Sequence, residues 1–168
     1  MILSDPTMPG ARYRNIIVVN EEPSIHASFD LYLQPDETEI ATASGNADES
    51  LVLDFADTRN FSILHADEGN SAVQIASKRA TGNRPIQVAF IDLKTGNLDG
   101  TETIKLLQEA NPRIIFAITS SNPPEALETI SDALGPVPVE IVAKPLDGET
   151  VHRVAARMCC RWEQLHGL

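Results

Sequence analysis

The chain has 168 residues, of which 42% are hydrophobic and 22% are charged, so it is long enough for one domain with a sizeable core. Its formal net charge of −11 argues against a nucleic-acid-binding surface, because phosphates require clustered Lys and Arg. No apolar run approaches the ~20 residues of a membrane helix. The two cysteines, Cys159 and Cys160, are neighbours in a helical pattern. We therefore expect a cytoplasmic protein without a disulfide framework, a nucleic-acid partner or a membrane partner.

The first predicted element is a strand, after a polar lead-in over residues 1–14. The β-branched run at residues 15–19 is typical of a buried parallel strand, and it ends in Asn20, Glu21 and Glu22. Pro23 suits the first turn of a helix, because its missing N–H costs nothing there. Ile25, Phe29 and Leu33 then form an apolar face at four-residue spacing, which predicts an amphipathic helix.

An acidic segment interrupts the strand–helix pattern at residues 34–60, and we interpret it as an insertion. The apolar residues 51–55 predict a hydrophobic anchor within it. A second strand follows at residues 61–65, and residues 71–80 are predicted to form the second helix, with Ala72, Val73, Ile75 and Ala76 facing inward.

Three further strand–helix units complete the chain. A third strand is predicted at residues 86–91, and it ends at Asp92. A fourth strand ends at Thr119, and a fifth ends at Lys144. The fourth and fifth strands are predicted at 113–118 and 137–143. Helices are predicted at 100–110 and from about 147 to 166. Between them, Asn122 is the predicted N-cap of a helix that runs through Ala126, Leu127, Ile130 and Leu134.

Five strand–helix units with short loops predict an α/β fold, a doubly wound parallel sheet with helices on both faces. In a flavodoxin-like sheet of order 2-1-3-4-5, the functional crevice lies between strands 1 and 3. Asn20, Glu21, Asp92, Thr119 and Lys144 would converge at that edge. Acids at this edge can hold Mg²⁺, and a carboxylate can attack a phosphoryl group. A lysine can neutralise the charge on the oxygens of the phosphoryl group during the transfer.

The strand-end motifs resemble the four signatures of a response-regulator receiver domain of two-component signalling. The resemblance covers residues 15–160 apart from the insertion, and a weaker likeness points to receivers attached to bacterial sensor kinases. The matching stretches are Val18-Val19-Asn20-Glu21-Glu22-Pro23, Phe90-Ile91-Asp92-Leu93-Lys94 through Leu98-Asp99-Gly100, Ile118-Thr119-Ser120 and Ala143-Lys144-Pro145.

The resemblance implies a role for each strand-end residue. Asp92 would be the phosphoacceptor, Thr119 the switch hydroxyl and Lys144 the partner of the phosphoryl group. A Mg²⁺ ion would be held by Glu21, Asp92 and the main-chain carbonyl of Lys94, and by Asn20 through water. The Lys144–Pro145 peptide bond would be cis, as is usual in the family.

Three departures from the family pattern bear on the metal and on activation. Receivers have two aspartates where this chain has Asn20 and Glu21, which would weaken Mg²⁺ binding. Thr95-Gly96 replaces the usual Met-Pro and gives a freer backbone. Ile141 stands where an aromatic side chain often rotates on activation.

The resemblance also implies partners. A histidine kinase or histidine phosphotransfer protein would donate the phosphoryl group, and phosphorylation would shift the face of helix 4, strand 5 and helix 5. The apolar positions of the last helix extend to Trp162 and Leu165, so residues 161–168 are predicted to continue towards a second copy or an output module.

Two other functions remain as alternatives. A degenerate receiver would act as an interaction module without phosphorylation, as Asn20, Glu21 and Thr95-Gly96 suggest. A metal-dependent phosphatase is disfavoured, because no general acid–base partner for Asp92 is evident. His26, His65, His152 and His166 match no ligand spacing and are interpreted as structural or surface groups.

Overall fold

Five parallel strands form one sheet in the computed structural model, which describes residues 14–33, 61–82, 84–94 and 99–166. The strand order is 2-1-3-4-5, with all neighbours parallel, as the sequence predicts. The strands are β1 (Arg14–Val19), β2 (Phe61–Ala66), β3 (Val88–Asp92), β4 (Ile115–Ser120) and β5 (Val139–Ala143).

A helix follows each strand, which confirms the predicted five strand–helix units. The insertion predicted at 34–60, its anchor at 51–55 and the lead-in before Arg14 lie outside the described residues. The helices are α1 (Pro23–Leu33), α2 (Gly69–Arg79), α3 (Gly100–Ala110), α4 (Pro123–Leu134) and α5 (Gly148–His166).

Two hydrophobic cores cover the two faces of the sheet, because successive side chains of a strand point to opposite faces. Ile16 and Val18 of β1 belong to the core that contains side chains of α1 and α5. Ile17 and Val19 belong to the other core, which contains side chains of α2, α3 and α4. β1 is buried along its whole length, as expected for a central strand covered by helices on both sides.

The fourth strand lies two residues later than the predicted 113–118. Asn111 holds the chain in a turn there, because its side chain accepts the Arg113 N–H at 3.1 Å and its carbonyl accepts the Ile114 N–H at 3.2 Å. The third and fifth strands also begin two residues later than predicted, at Val88 and Val139. As a result, Thr119 lies inside β4 and pairs in register with Asp92 of β3.

The helices bury most of the apolar positions predicted to face inward. Ala126 and Ile130 of α4 are buried, whereas Leu127 is 51% exposed. In α5 the buried face extends as far as Trp162, which is 1% exposed, whereas Leu165 is 59% exposed. Leu165 lies in the last turn of α5, within the part of the helix predicted to continue towards a partner, and that contact stays a prediction.

No helix within the described ranges combines the length and the apolar character needed to cross a membrane.

Candidate functional site

The carboxyl ends of β3, β4 and β5 bring Asp92, Thr119 and Lys144 to one edge of the sheet. Asp92 is the last residue of β3 and pairs in register with Thr119 of β4. Lys144 directly follows β5, and its N–H donates to the carbonyl of Ser120 at 2.8 Å. The Lys144–Pro145 peptide bond is cis, as the family resemblance implies. These three side chains come together because parallel strands end at a common edge.

Asp92 and Lys144 form an ion pair at this edge. Lys144 Nζ donates to Asp92 Oδ2, and the Lys94 N–H donates to Asp92 Oδ1 at 3.0 Å. The Asp92 side chain is 14% exposed and that of Lys144 is 35% exposed, so the pair is shielded but open to a small solute. The Asp92 carboxylate is therefore fixed in orientation and lies beside a cation, which suits a nucleophile towards phosphorus.

Two cavities meet at this ion pair, and Asp92 and Lys144 line both of them. The first, of about 210 Å³, lies towards α4 and is also lined by Thr119, Asp99 and Asn122. Asp99 and Asn122 were not predicted as site residues, although the sequence does predict Asn122 as a helix cap. Asp99 accepts the Thr101 N–H at 3.1 Å, and Asn122 exchanges hydrogen bonds with Glu125.

The second cavity, of about 560 Å³, lies between α1 and the segment after β5. Asn20 and Glu22 line it together with Asp92 and Lys144. Asn20 is buried, and its Oδ1 accepts the Glu22 N–H at 2.9 Å. Glu21 is exposed and does not line either cavity around Asp92. Its role as a metal ligand stays a prediction, and Glu22 is a second acid within the same turn.

The donor atoms at this edge fit Mg²⁺ in chemical type. Asp92, Asn20 and Glu22 offer oxygen atoms on a shared cavity, and Mg²⁺ prefers oxygen ligands while retaining several waters. Only two of these three groups are carboxylates, and the Lys144 ammonium already contacts one of them. We therefore expect Mg²⁺ to be held weakly.

The loop between β3 and α3 is anchored by a close backbone approach. A Cβ atom on Gly100 would lie 2.5 Å from the Leu93 Cα, and the Gly100 N–H donates to the Leu93 carbonyl at 3.2 Å. Only glycine fits this position without movement of the backbone that follows Asp92. Residues 95–98 of the loop, including the predicted Thr95-Gly96 departure, lie outside the described residues.

The α5 helix begins beside the site with Asp147 as its N-cap. The Thr150 N–H donates to Asp147 Oδ1 at 2.8 Å, and the Thr150 hydroxyl donates to Oδ2 at 2.9 Å. These two hydrogen bonds, with that from the backbone N–H as the larger cause, lower the pKa of the Asp147 carboxyl. The cap fixes the start of α5 at Gly148, four residues after Lys144.

The adjacent cysteines differ in their surroundings. Cys159 is buried in the core, and burial raises the pKa of its thiol far above the ordinary value, which makes the thiol unreactive. Cys160 is partly exposed, and its Sγ lies 3.2 Å from Arg14 Nη2. The two thiols therefore do not form a shared site.

No protein-family model matches the sequence, and no curated protein matches it. Solved structures do match. A response-regulator receiver domain from Methanospirillum hungatei aligns with a TM-score of 0.61 at 14% identity, covering 91% of this chain and 98% of that one. The chain has the receiver-domain fold. The receiver of a sensor histidine kinase from Pseudomonas aeruginosa, with a magnesium ion in its active-site cleft, aligns with a TM-score of 0.60 at 14% identity. That alignment covers 89% of this chain and 99% of the other.

A similar fold is also found in a protein whose name states an enzymatic activity. A structure of an adenylate cyclase from Rhodopirellula baltica aligns with a TM-score of 0.63 at 13% identity, covering 92% of this chain and 93% of that one. At such low identity the likeness shows the fold alone, so function has to be argued from the site.

Proposed function

We propose that this chain is a phosphoacceptor receiver of two-component signalling, which takes a phosphoryl group onto Asp92 from a histidine of a partner protein. The observation that carries the proposal is the ion pair between Asp92 and Lys144 in a receiver fold. Thr119 lies opposite Asp92 in the neighbouring strand, as a switch hydroxyl requires. The donor would be a histidine kinase or a histidine phosphotransfer protein, and the transfer would take place in the cytoplasm.

The chemistry is a direct transfer between two protein side chains. A carboxylate oxygen of Asp92 attacks phosphorus, and the P–N bond to the donor histidine breaks as the new O–P bond forms. The electron pair of the broken bond stays on the imidazole, which takes a proton from water. Lys144 stabilises the charge on the transferring oxygens. Mg²⁺, when bound, supplies further neutralisation of that charge.

Thr119 and Lys144 connect phosphorylation to the surface that we propose as the output face. Thr119 precedes α4 and Lys144 lies between β5 and α5. A phosphoryl group on Asp92 would accept hydrogen bonds from both side chains and shift the position of the elements that carry them. The face formed by α4, β5 and α5 would then bind a second copy or an output module differently in the two states.

The proposal is tested by exposing the protein to acetyl phosphate and Mg²⁺ and measuring its intact mass. We expect the added mass of one phosphoryl group in the wild type and in Asp99→Asn, which removes another carboxylate of the same cavity. Asp92→Asn should show no added mass. An adduct that persists in Asp92→Asn, or a wild type that is never modified, would contradict the proposal.

A second function, an interaction module that works without phosphorylation, is favoured by one observation. Asn20 provides a neutral amide where receivers have an acid, and Glu21 is exposed away from both cavities. Calorimetric titration with Mg²⁺ separates the two functions. Binding that weakens in Glu21→Gln or Glu22→Gln supports the phosphoacceptor and identifies the second acid, whereas the absence of both binding and an adduct supports the interaction module.

A further inference from the structure

Two histidines that take no part in the proposed phosphoryl transfer face each other between α1 and β2. His26 lies on α1 and His65 on β2, which is an edge strand of the sheet. Their Nδ1 atoms are 2.7 Å apart, and their rings are nearly perpendicular, with an interplanar angle of 85°. The residues are 39 positions apart, so the sequence gives no spacing signal for the pair.

The outer nitrogen of each ring is held by an oxygen atom that can only accept a hydrogen bond. His26 Nε2 lies 2.7 Å from the main-chain carbonyl oxygen of Asn20. His65 Nε2 lies 2.7 Å from Asp30 Oδ1. These contacts assign a proton to each Nε2, and in a neutral imidazole this leaves a lone pair on Nδ1.

Two lone pairs at 2.7 Å repel each other unless an electrophile lies between them. That electrophile is either a shared proton or a metal ion. Metal-ligating histidines typically donate their other ring N–H to a carbonyl or carboxylate, and both outer nitrogens show this arrangement. Asp67 Oδ1, 3.8 Å from His26 Nε2, adds a second carboxylate besides Asp30, and the two negative charges favour a cation between the rings.

We propose that His26 and His65 form a binding site for a divalent transition-metal ion such as Zn²⁺, ligated by the two Nδ1 atoms. Zinc–nitrogen bonds of ~2.0–2.1 Å in a tetrahedral site would separate the two nitrogens to about 3.3 Å, which requires only a small opening of the pair. Imidazole nitrogen suits Zn²⁺, whereas Mg²⁺ selects the oxygen donors beside Asp92, so the two sites differ in the ion they take.

The site has two protein ligands, and water completes the coordination. Within the ranges that the structure describes, no group of three or more His, Cys, Asp or Glu is arranged to hold a metal ion. The side chains of His26 and His65 are 12% and 31% exposed, so an ion and its waters can reach them. A bound ion would tie α1 to the edge strand.

Isothermal titration of the full chain with Zn²⁺, in excess Mg²⁺ to occupy oxygen-donor sites, tests the proposal. We expect His26→Gln and His65→Gln to lose this binding event, and Asp30→Asn to weaken it by about tenfold. His152→Gln, which changes a histidine of α5, should bind as the wild type does. Unchanged Zn²⁺ binding in both His26→Gln and His65→Gln would overturn the proposal.

A second measurement on the wild type keeps the test decisive if a variant fails to fold. Nitrogen-15 NMR of the histidine rings should show Zn²⁺-dependent shifts of both Nδ1 signals, with Nε2 protonated in each ring. Ring signals that never respond to Zn²⁺ would show that the pair holds only a shared proton, and would overturn the proposal. Neither readout depends on phosphorylation of Asp92.

Discussion

Asp92 uses its two carboxylate oxygens for different contacts. The Lys94 N–H at 3.0 Å holds Oδ1, while Oδ2 contacts the ammonium of Lys144. Partly exposed ion pairs contribute little to folding stability, typically about 0–1 kcal/mol. The pair is therefore better explained by the chemistry proposed for Asp92 than by a structural role.

The first prediction concerns Lys144. In Lys144→Met the charge on the transferring oxygens loses its cationic partner, and the rate of Asp92 phosphorylation by acetyl phosphate should fall by about a hundredfold. Rates are measured by quenched intact-mass spectrometry, with Lys105→Met on the exposed surface of α3 as the matched control. A variant that reacts as fast as the wild type would remove Lys144 from the mechanism.

The second prediction concerns Asn20. This residue is buried and lines the same cavity as Asp92. Asn20→Asp places a further negative charge beside the proposed Mg²⁺ site, and Mg²⁺ should bind about tenfold more tightly. Asn70→Asp adds the same charge on α2 and should leave Mg²⁺ affinity unchanged. Equal affinities in calorimetric titrations of Asn20→Asp and wild type would place the ion elsewhere.

Among the helices, α5 has two distinct parts: a long segment that packs in the core and an exposed last turn. Its buried face runs from Val151 to Trp162, so the apolar pattern is explained by the core as far as Trp162. Leu165 lies in the last turn of the helix and is exposed. The predicted contact of residues 161–168 with a partner therefore depends on the last turn of the helix and not on the whole apolar pattern.

The third prediction compares these two positions of α5. Trp162→Ala leaves a large cavity in the core and should lower the free energy of unfolding by about 3–5 kcal/mol. Leu165→Ala should change it by no more than about 0.5 kcal/mol, because the side chain is exposed. Urea denaturation of both variants gives the comparison. A large loss in Leu165→Ala would mean that the last turn is covered in solution.

The fourth prediction is a pH dependence at the start of α5. The hydrogen bonds from Thr150 lower the pKa of Asp147 in the folded state below the ordinary value of 3.8. The ionised carboxylate therefore stabilises the fold above pH 3.8, and this stabilisation is lost as the pH falls through the folded-state pKa.

Thermal unfolding of Asp147→Ala measures this contribution. We expect a lower melting temperature than the wild type at neutral pH, and a difference that shrinks as the pH falls below 3.8. Asp132→Ala, which removes an exposed carboxylate of α4, should show a smaller change. A difference that does not depend on pH would contradict the assignment.

In the whole molecule, the site lies at the edge formed by the carboxyl ends of β3, β4 and β5, next to the helices that follow these strands. Asp92 ends β3, Thr119 lies in β4 before α4, and Lys144 lies between β5 and α5. α2 packs on the opposite side of β1 from α5, against the other core. Through Thr119 and Lys144, a change at Asp92 therefore acts directly on α4, β5 and α5. None of the proposed site residues adjoins α2.

The fifth prediction follows from this arrangement. Hydrogen–deuterium exchange, measured with and without acetyl phosphate and Mg²⁺, should change in peptides of α4, β5 and the start of α5. Peptides of α2 should exchange at the same rate in both states, and Asp92→Asn should show no change anywhere. Changes centred on α2 would mean that the output face lies elsewhere.

The order of the elements and the residues at the strand ends follow from local patterns in the sequence. Buried parallel strands are short β-branched and aromatic runs, and polar residues stop them, so Asp92 and Lys144 were recognisable without coordinates. Helix caps such as Asn122 are local signals as well. The fold class and the meeting of Asp92, Thr119 and Lys144 at one sheet edge could therefore be predicted.

Strand register and contacts between residues distant in sequence are visible only in the folded chain. The pairing of Asp92 with Thr119 depends on the register of β3 against β4, and the turn at Asn111 moves the start of β4. Trp162 and Leu165 belong to one apolar pattern in the sequence, and only the packing of α5 makes the first buried and the second exposed. His26 and His65 meet only because α1 packs beside β2, and no local periodicity encodes a contact of that kind.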